Sequence, residues 1–203
     1  TCASFNLAMP DHQLQQIVIE DPAEIDPFAE QYYEANIELL NEEQRKIYDM
    51  IVDHINNETG GLYNLDAPGG SGKTFLTNVI LAYARMNGQI AIATAMSGIA
   101  ATLLSLATTF HRRFGVPIPT FNDSCSQIKL ESREAYIIKM AAIIIVDEVS
   151  MMNCDLMALL DRLLRTLMGN DEYMGGKLVL LMHDFRQILP VIPGGGRGQI
   201  VSA

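Results

Sequence analysis

Short apolar runs alternate with longer amphipathic segments along most of this chain. The short runs are rich in β-branched and apolar residues, and they predict strands at residues 61–65, 89–95, 143–146 and 178–182. Between them, apolar residues recur every three or four positions, which predicts helices at residues 41–59, 75–84, 98–104, 132–141 and 154–167. This alternation indicates an α/β fold with an open, mostly parallel sheet flanked by helices.

The segment before residue 40 differs from the rest of the chain. It contains three prolines and many carboxylates, with weak helical periodicity only around residues 28–40. Residues 1–60 hold 13 of the 24 acidic side chains but only two of the 14 basic ones, so the net charge of −10 belongs mainly to this part. We expect an acidic N-terminal extension at residues 1–39 and one domain at residues 40–203.

The first helix of that domain has a clear start. Asn41 is a capping residue, and the acids Glu42 and Glu43 follow it. Its buried face is predicted to consist of Ile47, Met50, Ile51, His54 and Ile55.

Composition excludes several classes of protein. A chain of 203 residues with 49% hydrophobic content is long enough to bury one core. It has no apolar stretch long enough for a membrane span and no secretory signal. Cys2, Cys125 and Cys154 are widely spaced, which fits a reducing, intracellular environment better than a disulfide framework or a metal site. The acidic balance argues against nonspecific binding to polyanions, although a local basic groove is enough for nucleic acid.

Residues 67–74 carry the strongest chemical signal. They read Ala-Pro-Gly-Gly-Ser-Gly-Lys-Thr and lie between the first predicted strand and a predicted helix. In a phosphate-binding loop, glycines let backbone N–H groups turn toward one anion, and the following helix adds the positive end of its dipole. Lys73 then reaches the β- and γ-phosphates of ATP, and the Thr74 hydroxyl holds Mg²⁺. The candidate phosphate-binding residues are Gly69, Gly70, Ser71, Gly72, Lys73 and Thr74.

This loop departs mildly from the usual pattern, because Ala67 stands where glycine is normal. The alternative interpretation is a glycine-rich turn that only caps a helix.

Two carboxylates, Asp147 and Glu148, follow the apolar run at residues 143–146. Such a run is typical of a strand buried on both faces of a parallel sheet, where ligands bind outside the carboxyl ends of the strands. Asp147 is therefore predicted to hold Mg²⁺ beside the phosphate loop, and Glu148 to orient and deprotonate the attacking water. The alternative is a pair of acids that caps the next helix.

Two weaker signals remain. Asp184-Phe185-Arg186-Gln187 follows the last predicted strand, and the Gln187 amide there is predicted to contact the γ-phosphate; an ordinary turn is the alternative. A compact basic and aromatic cluster suits single-stranded nucleic acid, because it offers charge for phosphates and a ring for stacking; a solvated basic turn is the alternative. Its residues are Thr109, His111, Arg112, Arg113 and Phe114.

Together these motifs resemble the first motor domain of superfamily-one DNA helicases, most closely the PIF (petite integration frequency) family and the helicase domains of Helitron transposons. The resemblance covers residues 38–203. Generic P-loop ATPases do not carry the run that begins at Asp184. The segments that carry the resemblance are residues 40–44, 67–74, 94–101, 109–111, 146–151 and 184–190.

The resemblance implies a RecA-like P-loop ATPase lobe that binds ATP and Mg²⁺ and moves 5′ to 3′ on single-stranded DNA to unwind duplex. It implies that Gln44 reads the adenine; an exposed polar residue of the helix is the alternative. The resemblance implies that Gln187 couples the γ-phosphate to a neighbouring domain. It also implies that Thr94, Ser97 and Gly98 meet the DNA backbone; an ordinary strand-to-helix connection is the alternative. We correspondingly expect a role in DNA repair or recombination, in the nucleus or mitochondrion.

Two features depart from the family pattern. His183 stands where the family has glycine, and its side chain is expected to crowd the phosphate site or shift the strand end. A second RecA-like lobe, which supplies an arginine to the ATP site, is expected in the full-length protein. The present chain is therefore expected to bind nucleotide weakly and hydrolyse it poorly. Two other functions stay open: a nucleotide-binding interaction module without motor activity, and a P-loop ATPase of another superfamily.

Overall fold

The computed structural model describes residues 26–121, 123–184 and 186. The strands within these residues are β1 (Gly61–Asp66), β2 (Ala91–Ala95), β3 (Thr108–Thr109), β4 (Ile143–Asp147) and β5 (Leu178–His183). The α-helices are α1 (Ala29–Asn36), α2 (Glu42–Asn56), α3 (Lys73–Met86), α4 (Gly98–Ala101), α5 (Phe110–Arg113), α6 (Arg133–Met140) and α7 (Cys154–Met168). Short 3₁₀-helices cover Ile37–Leu39, Val149–Met151 and Tyr173–Gly176.

The strands form one parallel sheet in the order β1-β5-β4-β2-β3. This is the open parallel α/β sheet that the alternation of strands and helices predicts. Strands β2 and β4 lie inside the sheet, and all residues of both are buried. Because the strands are parallel, their carboxyl ends share one edge, where the loops after β1, β2, β4 and β5 come together.

Helices cover both faces of the sheet. Leu178, Leu180 and Met182 of β5 belong to a core shared with helices α2 and α3, whereas Val179 and Leu181 belong to a core shared with α5, α6 and α7. Successive side chains of a strand point to opposite faces, so β5 is apolar on both sides. No helix within the described residues is both long and apolar enough to cross a bilayer.

Helix α2 begins as predicted but buries a slightly different face. Asn41 Oδ1 accepts the Gln44 N–H at 2.9 Å, and Gln44 Oε1 accepts the Asn41 N–H at 3.1 Å, which is a capping box. Tyr48 and Ile51 are buried, whereas Met50 is 41% exposed. The prediction for Met50 is wrong because it lies about 100° around the helix from Ile51, on the solvent side.

Several element bounds differ from the sequence prediction, and two of these differences have a clear structural cause. Strand β2 begins at Ala91 and not at residue 89, because the Gln89 N–H bonds to Ala84 O at 3.0 Å and so extends the end of α3. Helix α4 ends at Ala101 and not at residue 104, because the chain turns there and buries Leu104 in the core.

Part of the predicted N-terminal extension packs on the domain. Ala29 is buried, and the Tyr33 and Tyr48 hydroxyls are 2.9 Å apart, which joins α1 to α2. Residues 1–25 lie outside the described residues. The division between residues 39 and 40 stays a prediction.

Candidate functional site

The loop after β1 and the first turn of α3 form a cradle of backbone N–H groups. Gly70 and Gly72 have φ angles of 78° and 84°, a left-handed conformation that glycine adopts without strain. Among the described residues, the N–H groups of Gly70, Gly72, Lys73 and Thr74 have no hydrogen-bond acceptor. Helix α3 begins at Lys73, so the positive end of its dipole lies at the same place. This arrangement can bind an anionic group such as a phosphate.

Side chains of the same loop are also suited to binding a charged ligand. Lys73 Nζ donates to the carbonyl oxygens of Ala67 and Pro68, the latter at 3.3 Å. The Ser71 hydroxyl is buried and has no hydrogen-bond partner in the described part of the chain. A buried hydroxyl without a partner is unfavourable unless a ligand or water supplies one. Thr74 is half-buried next to Lys73, on the first turn of α3.

Asp147 ends β4 and lies near Lys73. It is 6% exposed, and its Oδ1 accepts the Glu148 N–H at 2.8 Å. Burial, the largest cause, raises the pKa of Asp147, whereas the Glu148 N–H and the Lys73 ammonium act in the opposite direction. The loop after β1 and the end of β4 both lie at the carboxyl edge of the sheet, which brings Lys73 and Asp147 to the same side of the fold.

Glu148 has an unusual backbone conformation. Its φ of 58° and ψ of 40° are left-handed, and it precedes the 3₁₀-helix Val149–Met151. Residues other than glycine rarely adopt this conformation, and such strain is concentrated at functional sites. Here it falls on the half-buried residue that is predicted to act on water.

Gln44 contacts the phosphate loop directly. Its Nε2 donates to Ser71 O at 3.1 Å, while its Oε1 accepts the Asn41 N–H. A Cβ on Gly72 would lie 2.4 Å from Gln44 Nε2, so a larger residue there would displace the end of the Gln44 side chain. Both ends of the Gln44 amide are thus engaged within the protein. Reading of adenine by Gln44 stays a prediction. The amide oxygen can accept a second hydrogen bond and the amide nitrogen can donate a second one, so both internal bonds can persist when a base binds.

Asp184, directly after β5, also reaches the phosphate loop. Its Oδ2 accepts the Gly69 N–H at 2.7 Å. Sequence reasoning missed this contact, because it assigned chemistry only to Gln187 within the same motif. The available signal was an acid placed directly after an apolar strand. Gln187 lies outside the described residues, and its role stays a prediction.

His183 ends β5 without displacing it. Strands β1 and β5 stay in register through Asp66 and His183, and the Ala67 N–H donates to His183 O at 3.2 Å. The imidazole is buried, with Nε2 2.6 Å from Asn64 Oδ1. Alternation along β5 places it on the sheet face opposite to α3. The expected crowding and shift are therefore wrong, because polar residues of β1 accommodate the side chain.

The residues near the end of β2 that are predicted to contact DNA differ in their exposure. Thr94 is fully buried, and its hydroxyl donates to Ile145 O at 3.0 Å. The prediction for Thr94 is wrong, because its strand lies inside the sheet. Ser97 Oγ accepts the Ala100 N–H at 3.1 Å and caps α4, and Gly98 is exposed at the start of that helix. Contact of Ser97 and Gly98 with DNA stays a prediction.

Phe114 belongs to the core and not to a binding surface. It is 0% exposed, and its ring centroid lies 4.8 Å from that of Phe110. The prediction that Phe114 stacks on a base is therefore wrong, because helix α5 turns this ring inward with Phe110.

The other four residues of the basic and aromatic cluster differ in exposure. Arg112 is exposed, whereas Thr109, His111 and Arg113 are half-buried. Burial lowers the pKa of His111, which favours the neutral imidazole. Arg112 is thus the most accessible cation of this helix for a phosphate group. The four residues stay a predicted DNA contact.

The chain is similar to several DNA helicases. A family model described as PIF1-like helicase matches residues 39–203. The ATP-dependent DNA helicase Pif1 of Psychrobacter sp. (strain PRwf-1) is 31% identical over 144 residues, which are 70% of this chain and 21% of that protein. The ATP-dependent DNA helicase RRM3 of Saccharomyces cerevisiae is 30% identical over 159 residues, which are 75% of this chain and 21% of that protein.

Solved structures show the same fold. A crystal structure of Pif1 helicase from Bacteroides in complex with ADP-AlF3 and ssDNA matches 80% of this chain and 36% of that chain, with a TM-score of 0.65 and 28% identity. Bacteroides Pif1 bound to ssDNA matches 80% of this chain and 35% of that chain, with a TM-score of 0.60 and 29% identity. The chain spans about a quarter or less of the length of the curated relatives it matches. Since the family model covers the whole sheet and both sides of the phosphate loop, the chain belongs to the PIF1-like helicase family.

Proposed function

We propose that this chain is the first motor lobe of an ATP-dependent 5′-to-3′ DNA helicase, which couples ATP hydrolysis to movement along single-stranded DNA and to duplex unwinding. One observation carries the proposal. Within the described part of the chain, the N–H groups of Gly70, Gly72, Lys73 and Thr74 have no acceptor, and they lie at the same carboxyl edge of the sheet as the buried Asp147. A cradle for phosphate beside a carboxylate is the arrangement that phosphoryl transfer requires.

Each residue of the site has a role in this proposal. The loop amides bind the phosphates, and Lys73 leaves the Ala67 and Pro68 carbonyls to contact the β- and γ-phosphates. Glu148 orients the attacking water and takes its proton. Gln187 senses the γ-phosphate.

The residues at the site also fit a magnesium ion. Thr74 Oγ1 and the Asp147 carboxylate are oxygen donors, which Mg²⁺ prefers. No group of three His, Cys, Asp or Glu side chains within the described ranges could hold a metal by itself. Mg²⁺ is commonly held by one or two carboxylates together with substrate phosphates and water. When bound, the ion neutralises charge on the β- and γ-phosphate oxygens.

Single-stranded DNA is the proposed polymer partner. Ser97 and Gly98 follow β2, and helix α5 with Arg112 follows β3, so both lie at the carboxyl edge that carries the phosphate loop. Similarity to Pif1 structures with ssDNA supports this assignment. The nucleus or mitochondrion is the proposed location of the full-length protein, with a part in DNA repair or recombination.

The second lobe of the full-length protein is proposed to supply the missing part of the ATP site. An arginine contributed from outside the first lobe stabilises the charge that develops during phosphoryl transfer and can be worth about 10³–10⁵ in rate. The present chain is therefore proposed to bind ATP weakly and to hydrolyse it slowly.

The test compares the present chain with the full-length protein in ATPase and strand-separation assays. We expect slow, DNA-independent hydrolysis by the chain, and ssDNA-stimulated hydrolysis with unwinding of 5′-tailed duplex by the full-length protein. Lys73→Ala in the full-length protein should abolish both. ATP binding without DNA stimulation or unwinding would contradict the motor function and favour a nucleotide-binding interaction module.

A further inference from the structure

The carboxylate of Asp184 joins two loops at the carboxyl edge of the sheet. Asp184 is 4% exposed. Its Oδ2 accepts the Gly69 N–H at 2.7 Å, and its Oδ1 accepts the Arg186 N–H at 3.0 Å. One oxygen therefore serves the phosphate loop, and the other stabilises the turn that follows β5.

The sheet brings Asp184 to this position. Strands β1 and β5 are neighbours, and their last paired residues are Asp66 and His183. The Ala67 N–H still donates to His183 O at 3.2 Å, so the two chains leave the sheet side by side. Asp184 then needs to reach only across to Gly69, two residues further along the phosphate loop.

The bond to Asp184 is made just before the open part of the cradle. Gly69 N–H is occupied, whereas the N–H of the next residue, Gly70, has no acceptor among the described residues. A hydrogen bond from an amide to a carboxylate is stronger than one between neutral groups. It therefore fixes the point at which the loop begins to curl. Both carboxylate oxygens are engaged by N–H groups, which offsets the negative charge beside a phosphate site.

We propose that Asp184 is a positioning residue of the nucleotide site, which holds the start of the phosphate loop so that its open amides are already ordered when phosphate arrives. This role rests on the proposed function, since it requires that the loop binds a nucleotide. Holding the loop in its binding conformation reduces the conformational entropy lost on binding.

Replacement by asparagine tests the role with little change in volume. In Asp184→Asn, one side-chain oxygen remains, so one of the two N–H groups loses its acceptor. The matched control is Asp161→Asn. Asp161 Oδ1 accepts the Met174 N–H at 2.7 Å, a comparable carboxylate-to-amide bond in another part of the fold. The probe is N-methylanthraniloyl-ADP, titrated into the present chain and followed by fluorescence.

We expect Asp184→Asn to weaken binding of this probe roughly tenfold, while Asp161→Asn keeps the parent affinity even if it lowers the melting temperature. Lys73→Ala is measured in parallel. If Lys73→Ala weakens binding but Asp184→Asn does not, the positioning role is overturned and the nucleotide site stands. If Lys73→Ala does not weaken binding either, the nucleotide site itself is overturned, and the role of Asp184 with it.

A measurement on the unaltered chain covers the case in which Asp184→Asn does not fold. Amide hydrogen exchange in the absence of nucleotide should show slow exchange at Gly69 and fast exchange at Gly70 and Gly72. Adding ADP should then slow exchange at Gly70 and Gly72. Exchange at Gly69 as fast as at Gly70 before ADP is added would contradict the proposal.

Discussion

Gln44 Nε2 donates to the carbonyl oxygen of Ser71 at 3.1 Å, and this bond joins the start of helix α2 to the phosphate loop. The same side chain closes the capping box with Asn41. One amide therefore supports a helix end and a loop, and it is also predicted to read the nucleotide base. The amide oxygen can accept a second hydrogen bond and the amide nitrogen can donate a second one, so a base can bind while both internal bonds persist.

Gln44→Ala is expected to lower both stability and nucleotide affinity. Losing two hydrogen bonds should reduce the free energy of unfolding by about 1–2 kcal/mol, measured by urea denaturation. Affinity for ADP should fall because the loop loses a support and the base loses a partner. Glu43→Ala, at an exposed neighbouring position, is the control and should keep the parent affinity. Unchanged ADP affinity in Gln44→Ala would remove this residue from the nucleotide site.

Glu148→Gly is expected to stabilise the chain while it abolishes hydrolysis in the full-length protein. Glycine adopts the left-handed conformation of Glu148 without strain, so the free energy of unfolding should rise by about 0.5–1 kcal/mol after the entropy cost of glycine. Glu58, with a φ of 52°, offers a matched control outside the site. Glu58→Gly should stabilise to a similar extent and leave hydrolysis intact. A loss of stability in Glu148→Gly would show that its side chain contributes more than the strain costs.

Asp147→Asn is expected to raise the melting temperature at pH 7 in the absence of nucleotide and Mg²⁺. Burial raises the pKa of the Asp147 carboxyl in the folded state, so its charged form destabilises folding. As pH falls through the raised pKa, the folded parent takes up a proton before the unfolded chain does and regains stability. The difference should vanish near the ordinary value of 3.8. Each kcal/mol of destabilisation that the substitution removes should raise the melting temperature by about 2–4 °C.

A variant that melts below the parent at pH 7 would contradict this account of Asp147. It would mean that interactions with Lys73 and the Glu148 N–H outweigh the cost of burial.

Arg112→Ala and Phe114→Leu should separate DNA binding from stability. Arg112 is exposed, so its loss should weaken ssDNA binding and leave the free energy of unfolding in urea unchanged. The salt slope, which is the slope of log affinity against log salt concentration, should fall in magnitude by about 0.7. Phe114 is buried against Phe110, so its loss should lower the free energy of unfolding by on the order of 1 kcal/mol and leave the salt slope intact. A reduced salt slope in Phe114→Leu would restore the stacking role that its burial excludes.

The fold could be predicted because the composition of its buried strands indicates that they are buried. The apolar run at residues 143–146 has one stable environment, the inside of a parallel sheet, and it forms β4 there. The phosphate loop could be predicted for a similar reason, since glycine at Gly70 and Gly72 is needed for the left-handed backbone seen at both positions.

Side-chain direction and long-range contacts could not be read from the sequence. Thr94 and Phe114 belong to two segments that predict contact with DNA, yet strand position and helix rotation turn both side chains inward. The bond between Asp184 and Gly69 joins residues 115 positions apart in sequence, and only the pairing of β1 with β5 brings them together. The sequence shows both residues but does not show that they lie within hydrogen-bond distance in the fold.

The most direct test of the account is whether Lys73 and Asp147 act on the same nucleotide. A fluorescent, non-hydrolysable ATP analogue should be titrated into the parent, Lys73→Ala and Asp147→Asn, each with and without Mg²⁺. We predict at least about tenfold weaker binding by Lys73→Ala under both conditions, and a dependence on Mg²⁺ in the parent that Asp147→Asn loses. Equal affinity of all three proteins, with no difference in their response to Mg²⁺, would contradict the shared site.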